Sequence, residues 1–328
     1  KEMIFFLKKF FLFIFIYFLT ILKVHAIDTK ADSAIILDVN SNTILFEKNA
    51  DKRQGPASMS KLMLLYIVFE RLQNNTISLD QEFVVSKKAW KYGGSKMFVN
   101  VGDMVSIINL LKGIIIQSGN DACIVLAEGL SGSEENMVEK MNIKSIELGL
   151  TGSNFTNVTG WPHLDHYMTL RDISHLSKLI ITKFPEYYYL FSINEFTYND
   201  IRQFNRNKLI SIDGYDGLKT GRTTQSGFGI AASSKKNNRR IVSVVNGLNS
   251  DKDRINETKK LVNWAYREFV TLDLYKAEDT IQLAKVWLGK KPFVPLVLNE
   301  DLSITIRKKN IDKYKIKLVY ETPVIAPI

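Results

Sequence analysis

The sequence predicts an α+β fold, in which an antiparallel sheet packs with helices, followed by a small all-β domain. Two β-branched runs within residues 33–48 alternate as a hairpin does, and three more alternating runs lie at about residues 215–247. Between these regions, apolar residues recur at helical spacing. After about residue 274, short strand-like runs replace the helices, which indicates a separate β domain.

The N-terminal residues 1–26 have the pattern of a secretory signal peptide. Lys8 and Lys9 precede an unbroken apolar run from Phe10 to Leu22, and Ala26 supplies a small residue at a candidate cleavage site. The run is shorter than the roughly 20 residues of a spanning helix, and an uncleaved membrane anchor is the alternative. In either case we expect an exported protein, in the periplasm or at the outer face of the cytoplasmic membrane.

The rest of the chain has room for one large domain and one small domain, which we place at residues 27–275 and 276–328. Since the chain begins at Lys1 rather than at methionine, its completeness at either end is left open, the small β domain included. The net charge of +10 suits an acidic polymer or anionic lipid. For an exported protein, we expect no nucleic acid as partner. A single cysteine, Cys123, excludes an internal disulfide, and its apolar neighbours predict a core position.

The first half of the chain predicts a hairpin followed mainly by helices. The hairpin strands are Ser33–Asp38 and Thr43–Lys48, and a polar, irregular stretch covers residues 74–102. Because the run from Val105 to Ile116 is apolar on nearly every side, we expect it to be buried at the centre of the domain. Helices are predicted at about Ser58–Gln73, Val105–Ile116, Asp121–Leu130 and Glu134–Leu148.

The second half of the chain predicts two helices and the rest of the sheet. Residues 149–162 are rich in glycine and predict a loop. Helices are predicted at Thr169–Ile181 and Arg254–Phe269. Adjacent antiparallel strands are predicted at about Tyr215–Thr220, Gly227–Ser234 and Ile241–Gly247. Strands of the small domain are predicted at Thr280–Val286, Phe293–Leu298, Leu302–Ile306 and Lys315–Tyr320.

A serine and a lysine lie three residues apart at the start of the first helix. Pro56 suits a first helical turn, and Ser58 and Lys61 then share one helix face. A serine hydroxyl becomes a nucleophile when a base takes its proton, and a lysine with a lowered pKa can be that base. A second Ser-x-x-Lys, at Ser233 and Lys236, lies in a polar run that predicts a solvated turn.

Two further motifs supply partners for Ser58. Ser118, with Gly119 and Asn120, lies in a tight loop between two predicted helices. Ser118 can relay a proton, and the Asn120 amide can bind a peptide bond and fix the lysine. Lys219 begins a Lys-Thr-Gly motif on a predicted strand and suits a carboxylate. The three motifs in this order resemble those of serine β-lactamases and penicillin-binding proteins, in which the second motif has an aspartate at its middle position.

The strand that carries the third motif also has a predicted role in substrate binding. Thr220 and Gly221 complete the motif, and the glycine lets a substrate backbone lie close as an added strand. The main-chain N–H groups of Ser58 and Arg222 are candidates for an oxyanion hole.

The chain resembles the low-molecular-mass penicillin-binding proteins that are D-alanyl-D-alanine carboxypeptidases. The likeness extends from about Ile35 to the C-terminus. Besides the three motifs, it rests on Asn49–Asp51, Gly149–Phe155, Asn157–Gly160, Phe196–Asn199, Asn205–Asn207 and Asp216–Gly221. It implies a β-lactamase/transpeptidase-like domain, with helices on both sides of an antiparallel sheet and a helical subdomain, followed by the small all-β domain.

The resemblance also implies a reaction that needs no cofactor or metal. Ser58 attacks the D-Ala-D-Ala bond of a peptidoglycan stem pentapeptide, terminal D-alanine leaves, and water hydrolyses the acyl-enzyme. β-Lactam antibiotics acylate the same serine as covalent inhibitors. Arg206 and Lys219 receive the terminal carboxylate, and Arg222 stands where some relatives have histidine. Relatives often attach to the membrane, so peripheral membrane association of this chain is left open.

Two alternatives remain at the level of the sequence. A serine β-lactamase of class A needs a glutamate that holds a water, and the chain has no Glu-x-x-Leu-Asn downstream of Asn120. Its second motif is also Ser-Gly-Asn rather than Ser-Asp-Asn. We therefore expect Lys61 to serve both acylation and deacylation. The other alternative, an inactive exported wall-binding protein, is disfavoured because all motif residues are present.

Two histidines near the middle of the chain suggest a different chemistry. His163 and His166 lie in a loop after Pro162, without further cysteine or histidine nearby. Because a metal site needs more ligands, the pattern predicts a structural or surface role rather than a metal site or a Ser-His-Asp triad.

Overall fold

The computed structural model describes residues 27–325, and the predicted signal peptide lies outside them. The strands are β1 (Ser33–Asp38), β2 (Thr43–Lys48), β3 (Glu82–Val84), β4 (Met104–Ser106), β5 (Glu195–Tyr198), β6 (Ile201–Phe204), β7 (Tyr215–Thr223), β8 (Gly227–Lys236), β9 (Arg239–Leu248), β10 (Phe269–Tyr275), β11 (Gln282–Trp287), β12 (Phe293–Leu296), β13 (Leu302–Arg307) and β14 (Val324–Ile325).

The helices alternate with these strands. They are α1 (Lys61–Gln73), α2 (Lys87–Lys91), α3 (Ile107–Lys112), α4 (Asn120–Ser131), α5 (Glu134–Glu147), α6 (Leu170–Lys183), α7 (Pro185–Tyr188) and α8 (Asp251–Glu268). Within residues 27–325, no helix is both long enough and apolar enough to span a membrane.

A five-stranded antiparallel sheet forms the centre of the fold. Its strand order is β2-β1-β9-β8-β7, which confirms the predicted hairpin and the three predicted neighbouring strands. The N-terminal hairpin therefore joins the sheet through β9, some 200 residues later in the chain, while β7 forms the opposite edge of the sheet.

Helices cover both faces of this sheet, which confirms the predicted fold class. On β1, Ile35 and Leu37 face a core shared with α1, α4 and α6, whereas Ala34 and Ile36 face a second core shared with α8. Because successive side chains of a strand point to opposite faces, one strand supplies both cores.

The structure corrects several predicted elements. The stretch at residues 74–102 is not wholly irregular, since it contains β3 and α2. The helix predicted for residues 105–116 begins as strand β4, continues as α3 and ends in a π-helical turn, Gly113–Gln117. The strand predicted at residues 315–320 is wrong, because no strand includes these residues. Most side chains there are exposed, so the alternation does not correspond to a buried face.

The C-terminal β region begins directly after α8. Strand β10 pairs with β13, so a strand before the predicted division at residue 276 belongs to a C-terminal sheet. The buried Asp38 carboxylate ties this region to the central sheet. It accepts hydrogen bonds from Arg239 Nε at 2.6 Å and from Thr271 Oγ1 of β10 at 2.9 Å.

The loop between α5 and α6 is held in place by a buried histidine. The His166 side chain is 3% exposed, and its ring meets the Phe155 ring edge-on at 5.8 Å. Its Nδ1 accepts the main-chain N–H of Thr156 at 3.1 Å. Burial, with a smaller effect of the Lys61 charge, lowers the pKa of His166 to about 4. His166 is therefore neutral in the folded protein at neutral pH.

This low pKa predicts a loss of stability in mild acid. Between pH 6.5 and pH 4 the unfolded chain binds a proton at His166 that the folded chain does not bind. The free energy of unfolding therefore decreases as the pH is lowered through this range. We expect His166→Asn to remove about 2 kcal/mol of the decrease between pH 7 and pH 4.5. Urea unfolding at both pH values measures the difference. His163→Asn, which removes an exposed imidazole from the same loop, is the control. An equal effect of the two variants would contradict the prediction.

Candidate active site

Ser58 lies in a tight turn that leads into α1. The turn, Ala57–Ser60, is a 3₁₀-helix, and Ala57 opens it with a left-handed φ of 49°. Ser60 Oγ donates to the Ala57 carbonyl at 3.0 Å, which fixes the turn. Ser58 is partly exposed, whereas Lys61 is fully buried at the start of the helix. The main-chain N–H of Ser58 lies in a first helical turn, where no preceding turn supplies an acceptor.

The Lys61 amine makes three close polar contacts. Its Nζ lies 2.9 Å from Ser58 Oγ, 2.7 Å from Asn120 Oδ1 and 2.5 Å from the Thr159 main-chain oxygen. Burial lowers the pKa of Lys61 to about 8, and the Arg206 cation adds to this effect. A considerable fraction of the lysine is therefore neutral near pH 7, and the neutral amine can accept a proton.

The second motif enters the site through a change of helix geometry. The π-helical turn Gly113–Gln117 ends at Ser118, whose φ of 66° is left-handed, and α4 begins two residues later. Asn120 Nδ2 donates to the Gly93 carbonyl at 2.8 Å, and Asn120 N donates to the Ser95 carbonyl at 2.7 Å. The Asn120 oxygen is thereby left for Lys61.

A neighbouring aspartate holds the loop that contacts Asn120. Buried Asp121 accepts the main-chain N–H groups of Met97 and Phe98 at 2.8–3.0 Å. The side chain of Ser118 is nearly fully buried beside this loop, and its Oγ has no hydrogen-bond partner within residues 27–325. A buried hydroxyl without a partner is costly, so this one is available to a bound molecule.

The contact between Lys61 and Thr159 depends on an asparagine turn. Asn157 Oδ1 accepts the main-chain N–H groups of Thr159, Gly160 and Trp161 at 2.8–3.1 Å. A Cβ on Gly160 would lie 2.1 Å from the Ala57 carbonyl oxygen. Only glycine therefore lets this turn pack against the turn that carries Ser58.

Strand β7 lies along the other side of Ser58. A Cβ on Gly221 would lie 2.8 Å from the Pro56 oxygen and 3.1 Å from Ala57 Cβ. The structure thus gives a different reason for this glycine than the predicted approach of a substrate. Gly221 allows the strand to pack against the segment that carries the nucleophile.

Basic groups collect at one end of the site. Lys219 is 1% exposed, and its Nζ contacts the Thr220 carbonyl at 3.3 Å. Arg206 Nε contacts Gln117 Oε1 at 3.4 Å, and the Arg222 guanidinium lies 4.7 Å from the centre of the Phe228 ring. Burial, then the nearby Lys61 and Arg206 cations, hold the pKa of Lys219 well below its usual value. None of these three basic side chains pairs with a carboxylate in residues 27–325.

Two cavities open at Ser58. The first, of about 320 Å³, is lined by Ser58, Ser118, Arg206, Thr220, Gly221 and Arg222 among others. The second, of about 300 Å³, is lined by Ser58, Asn120, Thr159, Trp161 and Thr223 among others. No glutamate of the described residues lines either cavity.

The structure brings the predicted site residues together. Hydrogen bonds join Ser58, Lys61 and Asn120, and Ser118, Arg206, Thr220, Gly221 and Arg222 share a cavity wall with Ser58. Lys219 is buried beside them. Their chemical roles stay predictions.

Sequence reasoning missed two parts of the site. One is the Thr159 carbonyl. The segment from Asn157 to Gly160 was noted only as part of the family resemblance, and no role was predicted for it. The other is Arg254 of α8, which is nearly buried, lines the first cavity and pairs with Asp251. No sequence pattern indicated that Arg254 belongs to the site, because it follows Asp253 in a polar helical turn, which predicts a solvated surface.

Comparison with known proteins agrees with this geometry. The family model for D-alanyl-D-alanine carboxypeptidase matches residues 21–250, and that for the C-terminal domain of penicillin-binding protein 5 matches residues 269–328. The chain is 38% identical to the D-alanyl-D-alanine carboxypeptidase DacC of Escherichia coli over 93% of this chain and 78% of that protein. It is 35% identical to DacF of Bacillus subtilis over 91% and 78%.

Solved structures show the same likeness. Penicillin-binding protein 5 from Haemophilus influenzae superimposes with a TM-score of 0.89 at 35% identity, covering 93% of this chain and 90% of that one. Penicillin-binding protein D2 from Listeria monocytogenes, in an ampicillin-bound form, gives a TM-score of 0.66 at 27% identity, over 73% and 98%. With the three motifs meeting around a buried lysine, these matches establish that the chain belongs to the D-alanyl-D-alanine carboxypeptidase family of serine peptidases.

Proposed function

We propose that the protein removes the terminal D-alanine from peptidoglycan stem pentapeptides through an acyl-enzyme on Ser58. The observation that carries this proposal is the set of three contacts at Lys61 Nζ. Two of the three partners, Asn120 Oδ1 and the Thr159 carbonyl, can only accept hydrogen bonds. A neutral amine has two N–H bonds and one lone pair. The two N–H bonds go to the two carbonyl oxygens, so the lone pair faces the hydroxyl of Ser58.

This arrangement makes Lys61 the base of the acylation step. The Ser58 hydroxyl gives its proton to Nζ as Oγ bonds to the carbonyl carbon of the D-Ala-D-Ala peptide bond. The main-chain N–H groups of Ser58 and Arg222 stabilise the oxyanion. When the C–N bond breaks, the proton passes from Lys61 through Ser118 Oγ to the leaving nitrogen. The Ser118 hydroxyl, which lacks a partner in the described residues, suits this relay.

The basic end of the first cavity receives the substrate carboxylate. Lys219 and Arg206 contact only neutral oxygens, and burial, together with the Lys61 and Arg206 cations, holds the pKa of Lys219 below its usual value. A bound carboxylate favours the charged form of Lys219, so binding and protonation support each other. The requirement for this carboxylate selects peptides that carry a free carboxylate next to the scissile bond.

Deacylation uses the same lysine. No glutamate of residues 27–325 lines the cavities at Ser58, and Asp251, the carboxylate of the first cavity, is paired with Lys208 and Arg254. Lys61, 2.9 Å from Ser58 Oγ, is therefore the base available to a water at the acyl carbon. A slow second step of this kind favours a penicillin-binding protein over a β-lactamase, whose acyl-enzyme turns over rapidly. We therefore propose that β-lactams form a persistent adduct on Ser58, as the ampicillin-bound relative suggests.

The proposed location follows from the sequence. The signal-peptide pattern of residues 1–26 and the peptidoglycan substrate both support an exported enzyme, at the outer face of the cytoplasmic membrane or in the periplasm. Peripheral association with that membrane remains a proposal.

Release of D-alanine and capture of penicillin test the function together. We expect the purified protein to release one D-alanine from a stem pentapeptide and to gain the mass of one benzylpenicillin, located on the Ser58 peptide by mass spectrometry. Ser58→Ala should lose both activities, because Ser58 is the cavity hydroxyl that contacts the Lys61 amine. Ser233→Ala, in the second Ser-x-x-Lys, is the matched control and should keep both. The solvated turn predicted for that motif is wrong, because Ser233 is fully buried in strand β8.

Each alternative has its own result in this experiment. Rapid turnover of penicillin, without a lasting adduct, would identify a β-lactamase. Absence of both D-alanine release and adduct formation would identify an inactive wall-binding protein.

The low pKa of Lys61 predicts the pH dependence of acylation. Because the neutral amine is the base, the rate of penicillin acylation should rise with pH and level off above an apparent pKa of about 8. At pH 7 about one tenth of the lysine would be neutral, against less than one in a thousand at its ordinary pKa. Stopped-flow acylation between pH 6 and pH 10 measures this profile.

The control for this profile is His175→Asn, which removes a titratable group of α6 outside the site and should keep the same curve. A rate that is flat from pH 6 to pH 9, or that rises only near pH 10.5, would refute Lys61 as the neutral base.

Lys61→Ala tests the second proposed role of Lys61, which is deacylation. Any residual acyl-enzyme of this variant should deacylate more slowly than that of the wild type.

A further inference from the structure

A third cavity continues the cleft beyond the two at Ser58. Its volume is about 370 Å³, and it shares Gly160, Trp161, Pro162 and Thr223 with the second cavity. The second cavity in turn shares Ser58 and Arg222 with the first. The three cavities therefore lie in a row, from the basic end through Ser58 to this third cavity, which we call the distal groove.

Strand β7 runs past all three cavities in chain order. Thr220 borders the first cavity, Arg222 the first and second, and Thr223 the second and third, and Gln225 and Ser226 after the strand line the distal groove. β7 is an edge strand of the central sheet. A peptide that pairs with this edge, with its C-terminal carboxylate at Lys219, thus extends its acyl side into the distal groove.

Trp161 stands where the distal groove meets the second cavity. Its side chain is 49% exposed although it is large and apolar. The Asn157 turn holds its main chain, and its ring meets the Tyr92 ring edge-on at 6.2 Å. A fixed indole with a free face at the mouth of a groove offers a surface for aliphatic carbons of a bound peptide.

The distal groove carries more positive than negative charge. Lys52 and Arg53 line it, and Asp32 is its one carboxylate among the lining residues described. The Arg53 guanidinium lies 5.0 Å from the centre of the Tyr167 ring, which positions it at the groove wall. Arg53 forms no ion pair with residues 27–325, so a ligand carboxylate would be its first acidic partner.

We propose that the distal groove is a subsite for the acyl side of the peptide substrate, in which Trp161 packs against an aliphatic side chain and Arg53 binds a carboxylate. The site would make the enzyme select peptides with an acidic residue upstream of the scissile bond. This inference rests on the proposed function, since it takes the direction of the peptide from the carboxylate site at Lys219.

The distance between Arg53 and Ser58 is compatible with a bound stem pentapeptide. Arg53 precedes Ser58 by five residues, so their Cα atoms are at most about 18 Å apart. An extended peptide of about five residues spans that distance. The carboxylate that meets Arg53 therefore belongs to a residue within about five positions of the scissile bond.

Three synthetic peptides ending in D-Ala-D-Ala test this subsite. The first, the acidic pentapeptide, carries a free side-chain or main-chain carboxylate at its second residue. The second, the amidated pentapeptide, has a carboxamide in place of that carboxylate. The third, the short peptide, is an N-acetyl tripeptide. We expect the wild type to hydrolyse the acidic pentapeptide with a kcat/KM about fivefold above that of the amidated one. Arg53→Gln should abolish this preference and leave the short peptide unaffected.

Two more variants separate recognition from general damage. Trp161→Ala should lower kcat/KM for both pentapeptides more than for the short peptide. Lys235→Gln, which makes the same charge change at an exposed position near the end of β8, is the matched control and should keep the wild-type preference. The proposal is overturned if the wild type treats the acidic and amidated pentapeptides alike, or if Arg53→Gln lowers kcat/KM for all three peptides equally.

Binding to the Ser58→Ala protein distinguishes this inference from the proposed function. By calorimetry, Ser58→Ala should bind the acidic pentapeptide more tightly than the amidated one, although it cannot cleave either. If this difference is present while the wild type releases no D-alanine, the proposed function fails and the subsite stands. If the wild type releases D-alanine while the two pentapeptides bind equally, the subsite fails and the function stands.

Discussion

The buried amine of Lys61 is the point on which the site depends. Segments that are far apart in the sequence meet at this nitrogen: the turn of Ser58, the start of α4 at Asn120 and the Asn157 turn at Thr159. A buried lysine is costly unless its polar atoms are paired, so these contacts stabilise the fold while they orient the base. The same burial lowers its pKa to about 8, as its proposed role as a base at neutral pH requires. Structural and chemical roles therefore have one cause.

The sheet determines how far the two walls of the cleft stand apart. β7 packs directly on the Ser58 turn through Gly221, and the Asn157 turn packs on the same segment through Gly160. Both contacts involve main-chain atoms, which cannot rotate away as side chains do. The cleft width at Ser58 is thus fixed by backbone packing rather than by flexible side chains. A preorganised site of this kind avoids the cost of rearranging during the reaction.

The sequence predicted the fold class, the sheet and the three motifs, because each has a local pattern. The alternation of β7, β8 and β9 and the helical spacing after Ser58 are properties of short segments. The π-helical turn before Ser118 could not be predicted, because residues 113–116 are one glycine and three isoleucines, a pattern that suits an α-helix and a π-helix alike. The contact of the Thr159 carbonyl could not be predicted either, because every residue has a main-chain oxygen and the residue type does not show which one is used. The strand predicted at residues 315–320 failed because alternation without burial does not specify a sheet.

The cluster of basic groups around Lys219 and Arg206 has a consequence for the departure of the product. In the intact peptide, the nitrogen of the scissile bond is an uncharged amide. After cleavage, the same nitrogen becomes an amine that takes up a proton, so the freed D-alanine is a zwitterion. In the proposed binding mode, its new ammonium group lies near the cations that attract its carboxylate. In the proposed mechanism the reaction therefore turns a ligand that fits the pocket into one that the pocket repels in part, which favours release of the product.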